Sequence, residues 1–210
     1  MWVHHKHKFI FIHVPKTGGT SVRNSFPFEQ YGVISRGNIY PHDAASVVYK
    51  RHGSRIWNKY FKFAFVRNPY SRLCSYYFYH RSNRYRPGPK HSQGKEIAKI
   101  NTFKKWAIQG INANIQYKQG TSAVGQGWWS QIPQHYYLDR ELDFIGRYEN
   151  LQNDFDYACE KIGIEPYELP HYNKSEPPYK WKELYDDELM ELVYDFYCDD
   201  FRIFGYEKTI

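Results

Sequence analysis

Phe9, Ile10, Phe11 and Ile12 form an apolar run without alternation, the pattern of a short strand buried on both faces. Phe61, Phe63 and Phe65 alternate with Lys62, Ala64 and Val66, which predicts a second strand. A third short strand followed by a helix is expected in Asp143–Leu151. Leu151, Phe155, Ala158, Cys159 and Ile162 then recur at helical spacing, with Gly163 as the stop. Leu189, Leu192, Val193 and Phe196 make one apolar stripe behind acidic Asp186, Asp187 and Glu188, which predicts the last helix. Asp43 is read as the cap of a helix over Ala44–Lys50, and the Asn-, Gln- and Gly-rich stretch Gly110–Gly127 as a loop. The expected fold is α/β: a central, mostly parallel sheet flanked by helices on both faces, with ligands at the carboxyl ends of its strands.

What joins these elements carries the chemistry. After the first strand come Pro15, Lys16, Thr17, Gly18, Gly19, Thr20 and Ser21. Proline stops the strand, and the glycines let the backbone bend and approach a ligand closely. Thr20 or Ser21 caps a helix expected over Val22–Phe26. Main-chain N–H groups and the lysine charge then converge on one spot, which makes an anion site. The lysine precedes the glycines and no Gly-Lys-Ser/Thr follows, so this is not a Walker A loop. Gly-x-Gly-x-x-Gly is absent too, which excludes a dinucleotide fingerprint. After the second strand, Arg67 precedes Asn68, a good N-cap, and Pro69, which suits the first helical position. Ser71 and Ser75, four residues apart, share one face of the helix that follows.

The order Pro-Lys-Thr-Gly-Gly-Thr-Ser resembles the 5′-phosphosulfate loop of sulfotransferases that use 3′-phosphoadenosine 5′-phosphosulfate (PAPS). Arg67 and Ser75 resemble the pair that grips the 3′-phosphate of PAPS in that family. A guanidinium suits this task because its planar fork pairs with two phosphate oxygens. Asp143–Leu151 and Asp200–Glu207 resemble the family's later blocks and are read mainly as scaffold. Over nearly its whole length the chain resembles the small carbohydrate sulfotransferases of the heparan and chondroitin type. The resemblance implies a P-loop-like sulfotransferase fold in one domain over residues 1–210, with Lys16, Thr17, Gly18, Gly19, Thr20, Ser21, Arg67 and Ser75 on PAPS.

Composition limits the reading further. A chain of 210 residues fits one domain with a full core. The net charge of +7 implies an anionic partner, and an acidic polysaccharide acceptor would match it. No nucleic-acid motif is present. The basic run Arg81–Lys95 reads equally well as a solvated loop or an acceptor-binding one, and Trp128 and Trp129 as core or as a sugar platform. Tyrosines number 21, and most are expected to pack and hydrogen-bond near the surface. Three cysteines without a Cys-x-x-Cys spacing fit a reducing compartment. No apolar stretch approaches the about 20 residues of a membrane helix, and no signal peptide is read. A cytoplasmic enzyme is therefore expected, with the Golgi lumen of the family's anchored eukaryotic members as the other option. His4, His5 and His7 are read as a solvated tail.

Sulfuryl transfer resembles phosphoryl transfer, an in-line displacement in which an acceptor hydroxyl attacks and the 5′-phosphate oxygen leaves. Lys16 and the N–H groups of Gly18, Gly19, Thr20 and Ser21 would stabilise the leaving oxygen. No metal is expected, since the sulfuryl group carries less charge than a phosphoryl group. His42, in Tyr40–Asp43 between the two anion loops, is the preferred base, ahead of His13, His80 and Glu29. Two other classes stay open at this point: a nucleotide-dependent kinase and a non-catalytic binder of anionic glycans. The first lacks a Walker lysine and an acidic metal site, and the second leaves Lys16 and the Arg67–Ser75 pair without a use.

Overall fold

The structure, a computed structural model, describes residues 2–25, 42–81, 102–118, 131–170 and 180–210. These form two compact bodies. The first contains Met1–Arg67 and Gln134–Lys174, the second Asn68–Pro133 and Ser175–Ile210.

The first body is α/β. Its sheet has the order β1 (Trp2–His4), β2 (Phe9–Ile12), β3 (Phe61–Val66), β4 (Phe144–Arg147). β1 runs antiparallel to β2, while β2, β3 and β4 are parallel. The unalternating run of β2 is buried on both sides, as its apolarity requires. Phe9, Phe11, Phe63 and Phe65 pack on one face with Val22 of α1 (Gly19–Ser25) and with Phe155, Ala158 and Cys159 of α5 (Leu151–Lys161). Ile10, Ile12 and Ala64 pack on the other with Ala45, Val48 and Trp57 of α2 (Ala45–Lys59). Helices therefore cover both faces, and the turns at the carboxyl ends of β2, β3 and β4 lie along one edge of the parallel strands.

Several local expectations give way to longer-range contacts. α1 begins at Gly19, because Ser21 and Val22 both donate N–H to the Gly18 carbonyl; Thr20 and Ser21 therefore lie inside the first turn, past the cap position. Asp43 is no cap either: it pairs with Arg51 at 2.7 Å. Asp139 serves the start of α2 instead, accepting from the Ser46 N–H at 2.8 Å. α2 also runs on to Lys59, past the expected end at Lys50, and breaks at Gly53, whose φ of 80° suits glycine alone. His4, expected in a tail, is a buried residue of β1 stacked on Phe9.

The second body is helical: α3 (Pro69–Arg81), α4 (Phe103–Lys118), α6 (Asp187–Phe196) and α7 (Cys198–Phe204). Asn68 caps α3 as read, accepting from Tyr70 N–H at 3.0 Å. Asp186 caps α6 through Leu189 N–H. The stretch from Gly110 to Lys118 is helix and not loop, because Trp106, Ala107 and Ile111 bury one side of α4. Gly110 fits there because a Cβ would lie 2.1 Å from the Gln131 side chain. The core is tyrosine-rich and its hydroxyls find main-chain carbonyls: Tyr70 with Lys208, Tyr185 with Tyr70, and Tyr197 with Gln131. Trp128, Trp129, Glu29 and the basic run beyond Arg81 lie outside the described residues.

Candidate active site

The turn after β2 is held in a conformation that ordinary residues avoid. Lys16 has φ of 66° and Gly18 of 81°. A left-handed lysine costs free energy on the order of 1 kcal/mol or more, so the surrounding contacts must impose it. Thr17, fully buried, helps by donating its hydroxyl to the Val14 carbonyl at 2.8 Å. The two glycines are sterically required: a Cβ on Gly18 would lie 2.6 Å from Leu151 Cδ2, and one on Gly19 2.0 Å from His13 Cδ2. The N–H of Ser21 is already used by the Gly18 carbonyl, so the expectation that it faces a ligand is corrected. Gly18, Gly19 and Thr20 stand with Lys16 in this turn, and Ser21 is buried in the first turn of the helix that follows.

Arg67, the first residue beyond β3, brings the second expected anion group to this turn. Its Nη1 donates to the Lys16 carbonyl at 3.4 Å, a long bond that leaves the guanidinium beside the loop. Its Cζ sits 4.0 Å from the centre of the Tyr148 ring. Its main chain is held by Gln134, whose Oε1 accepts from the Arg67 N–H at 2.9 Å and whose Nε2 donates to the Arg67 carbonyl at 2.8 Å. Burial, and then the charge of Arg67, lower the Lys16 ammonium from its usual value to about 7. Two cations in one partly dry place form a site that an anion would relieve.

His42 reaches the same turn. Its Nδ1 lies 3.0 Å from the His13 carbonyl, and the two rings are 4.5 Å apart. With Nδ1–H donating to a carbonyl, neutral His42 presents Nε2 as its basic atom. His13 is different: burial, then the neighbouring His42, hold it well below the ordinary histidine value. Its ring fills the space above Gly19, which makes it a packing residue. His80 is buried in α3 of the second body. Ser75 stands half-buried on the same helix, and its hydroxyl has no hydrogen bond among the described residues.

Sequence reasoning missed Gln134, Asp139 and Tyr148. Tyr148 was within reach, since it lies in the block Asp143–Leu151 that was read as scaffold. Gln134 gave no signal, because its partner is the main chain of a residue 67 positions away.

The model of the Sulfotransferase family matches residues 1–207. Carbohydrate sulfotransferase 10 of Xenopus laevis is 25% identical over 255 aligned positions, which cover 99% of this chain and 67% of that protein. Carbohydrate sulfotransferase 9 of Homo sapiens is 27% identical, over 98% of this chain and 53% of its own. Carbohydrate sulfotransferase 10 of Homo sapiens is 22% identical, over 97% and 65%. The chain spans about half to two thirds of the length of these relatives. No solved structure gives a significant match.

Proposed function

The chain belongs to the sulfotransferase family, and on that premise we propose that it moves a sulfuryl group from PAPS to a hydroxyl of a carbohydrate. One observation carries this reading: Lys16 and Arg67 converge on a left-handed glycine turn, with the Arg67 guanidinium 3.4 Å from the Lys16 carbonyl. That arrangement suits the phosphates of a nucleotide donor. The relatives' names support a carbohydrate acceptor, and the net charge of +7 favours an acidic one. The family match spans residues 1–207, so we treat both bodies as one sulfotransferase domain. The cytoplasmic location expected from the sequence finds no support among the relatives. No described helix is long and apolar enough to cross a membrane.

Bound PAPS supplies the activated sulfuryl group and a phosphate leaving group. Lys16, with the N–H groups of Gly18, Gly19 and Thr20, offsets the negative charge that grows on the leaving oxygen. Because these donors are fixed before the reaction, little reorganisation is needed when that charge appears. Arg67 holds the 3′-phosphate, and the resemblance names Ser75 as a further donor-binding residue. His42, oriented by the His13 carbonyl, takes the proton of the attacking hydroxyl on Nε2.

The test is a titration with 3′-phosphoadenosine 5′-phosphate (PAP), followed by melting temperature, with ATP and ADP as controls. Selective stabilisation by PAP is expected. Equal or greater stabilisation by ATP would move the protein to the kinases, and no shift with any nucleotide would favour a glycan-binding module.

A further inference from the structure

Arg67 can select a phosphate only if its guanidinium is held where that phosphate arrives. Nothing in β3 does this, because the ladder with β4 ends at Val66, paired with Arg147. Arg67 is the first residue past the ladder, and Gln134 takes the place of the missing strand. The Gln134 amide accepts from the Arg67 N–H at 2.9 Å and donates to its carbonyl at 2.8 Å, so both main-chain groups are fixed by one side chain. Gln134 has no solvent exposure, and a buried amide with both ends used is costly to misplace. Tyr148 then supports the far end of the same residue, with its ring 4.0 Å from the guanidinium carbon.

The turn that carries Gln134 is itself anchored. Its carbonyl accepts from the Tyr137 N–H at 3.0 Å. The Tyr137 carbonyl accepts from Ala45 N–H at 2.9 Å, and Asp139 accepts from Ser46 N–H at 2.8 Å. Ala45 and Ser46 open the helix that follows His42. One short stretch, residues 134–139, therefore braces Arg67 at one end and the approach to His42 at the other.

We infer that Gln134 is a positioning residue that sets recognition of the nucleotide 3′-phosphate by fixing the main chain of Arg67, with Tyr148 as the shelf under its guanidinium. The inference rests on the donor-site reading above. A merely structural glutamine would weaken every nucleotide alike, whereas a positioning residue acts only where a 3′-phosphate is present. PAP and AMP, which differ by that one phosphate, separate the two cases.

The experiment measures Kd for PAP and for AMP by isothermal titration in the wild type and in Gln134→Ala, Gln134→Met and Tyr148→Leu. Gln134→Met keeps the buried volume and removes both hydrogen bonds, so it serves if the alanine variant does not fold. Tyr148 is 37% exposed and its replacement leaves the core intact. The wild type is expected to prefer PAP strongly. In the Gln134 variants the preference falls about tenfold while the Kd for AMP stays the same, and in Tyr148→Leu it falls about threefold. Equal weakening of PAP and AMP, or an unchanged preference in both Gln134 variants, overturns the inference and leaves the donor site standing. A wild type with no preference for PAP overturns both.

Discussion

Two turns of the first body have the same place in the fold and opposite chemistry. One leads from β2 into α1, the other from β4 into α5, and both follow parallel strands that flank β3. At the β2 turn no acidic residue stands in the first turn of the helix, and Lys16 and Arg67 supply two cations. At the β4 turn Asp154 stands in the first turn of the helix. Its carboxylate accepts from the Arg147 N–H at 2.5 Å and from Asn150 Nδ2 at 2.8 Å. The chain thus carries its own anion at one turn, and at the other the phosphates of the proposed donor would supply it. Strand-to-helix geometry alone does not make a phosphate site; the placement of a few charges decides which turn becomes one.

The sharpest way to break this contrast is Lys16→Ala. It should lower turnover roughly 10³-fold, as loss of a preorganised charge at the leaving oxygen does, without lowering the melting temperature, because the fold holds this buried ammonium at a cost. Steady-state kinetics and a thermal melt on the same sample decide it; wild-type turnover would sink the mechanism. His42→Ala should follow at about 10²-fold in kcat with PAP affinity intact, since the base acts on the acceptor. Titration calorimetry beside kinetics would expose a binding role if affinity fell instead.

The pH dependence sharpens the contrast further. The folded protein holds the Lys16 ammonium at about 7, below its usual value, because it is buried beside Arg67. An anion binds best to the protonated lysine, so PAP affinity should fall as pH rises above about 7, by up to tenfold per unit. Ligand-free stability moves the other way. Between the folded and unfolded values the unfolded chain holds more protons, so the Lys16 contribution rises with pH; below 7 both states are protonated and its cost is fully present. Both trends should be missing from Lys16→Ala, and a wild-type slope in that variant would assign them to another group. The smallest effect on activity belongs to the other turn. Asp154→Ala should cost about 0.5–1 kcal/mol in chemical denaturation by removing the side-chain acceptor of the solvent-exposed Arg147 N–H, with turnover within threefold. A large loss of activity would mean that the β4 turn takes part in binding.

What could be read from the sequence was local. Phe9–Ile12 announced a doubly buried strand, and the glycines after Lys16 announced a tight bend. Asn68 was legible as a cap because the N–H group its side chain accepts from lies only two residues on, and acidic Asp186 marked the start of the last helix for the same local reason. Asp43 misled for the same reason in reverse. It has the right type and position for a cap, yet Arg51 claims its carboxylate and Asp139, 93 positions from Ser46, caps the helix. Gly110 misled because its reason for being glycine is the Gln131 side chain, not a bend. Helix start signals in a sequence cannot encode a partner that only the folded chain delivers.

The hydrogen bonds between Gln134 and Arg67 also bear on how the chain folds. Arg67 is the last residue of the first body before the chain leaves it, and Gln134 is the first on its return. The same pair that fixes the Arg67 main chain therefore closes an excursion of 67 positions, and β4 cannot join β3 until that excursion is complete. Contacts of such separation form late, because their loop-closure entropy must be met before they contribute. During synthesis the glycine turn and β2 emerge first, but a fully braced Arg67 has to wait for residue 134. On the proposed reading, a donor site would gain its selectivity only with this last contact.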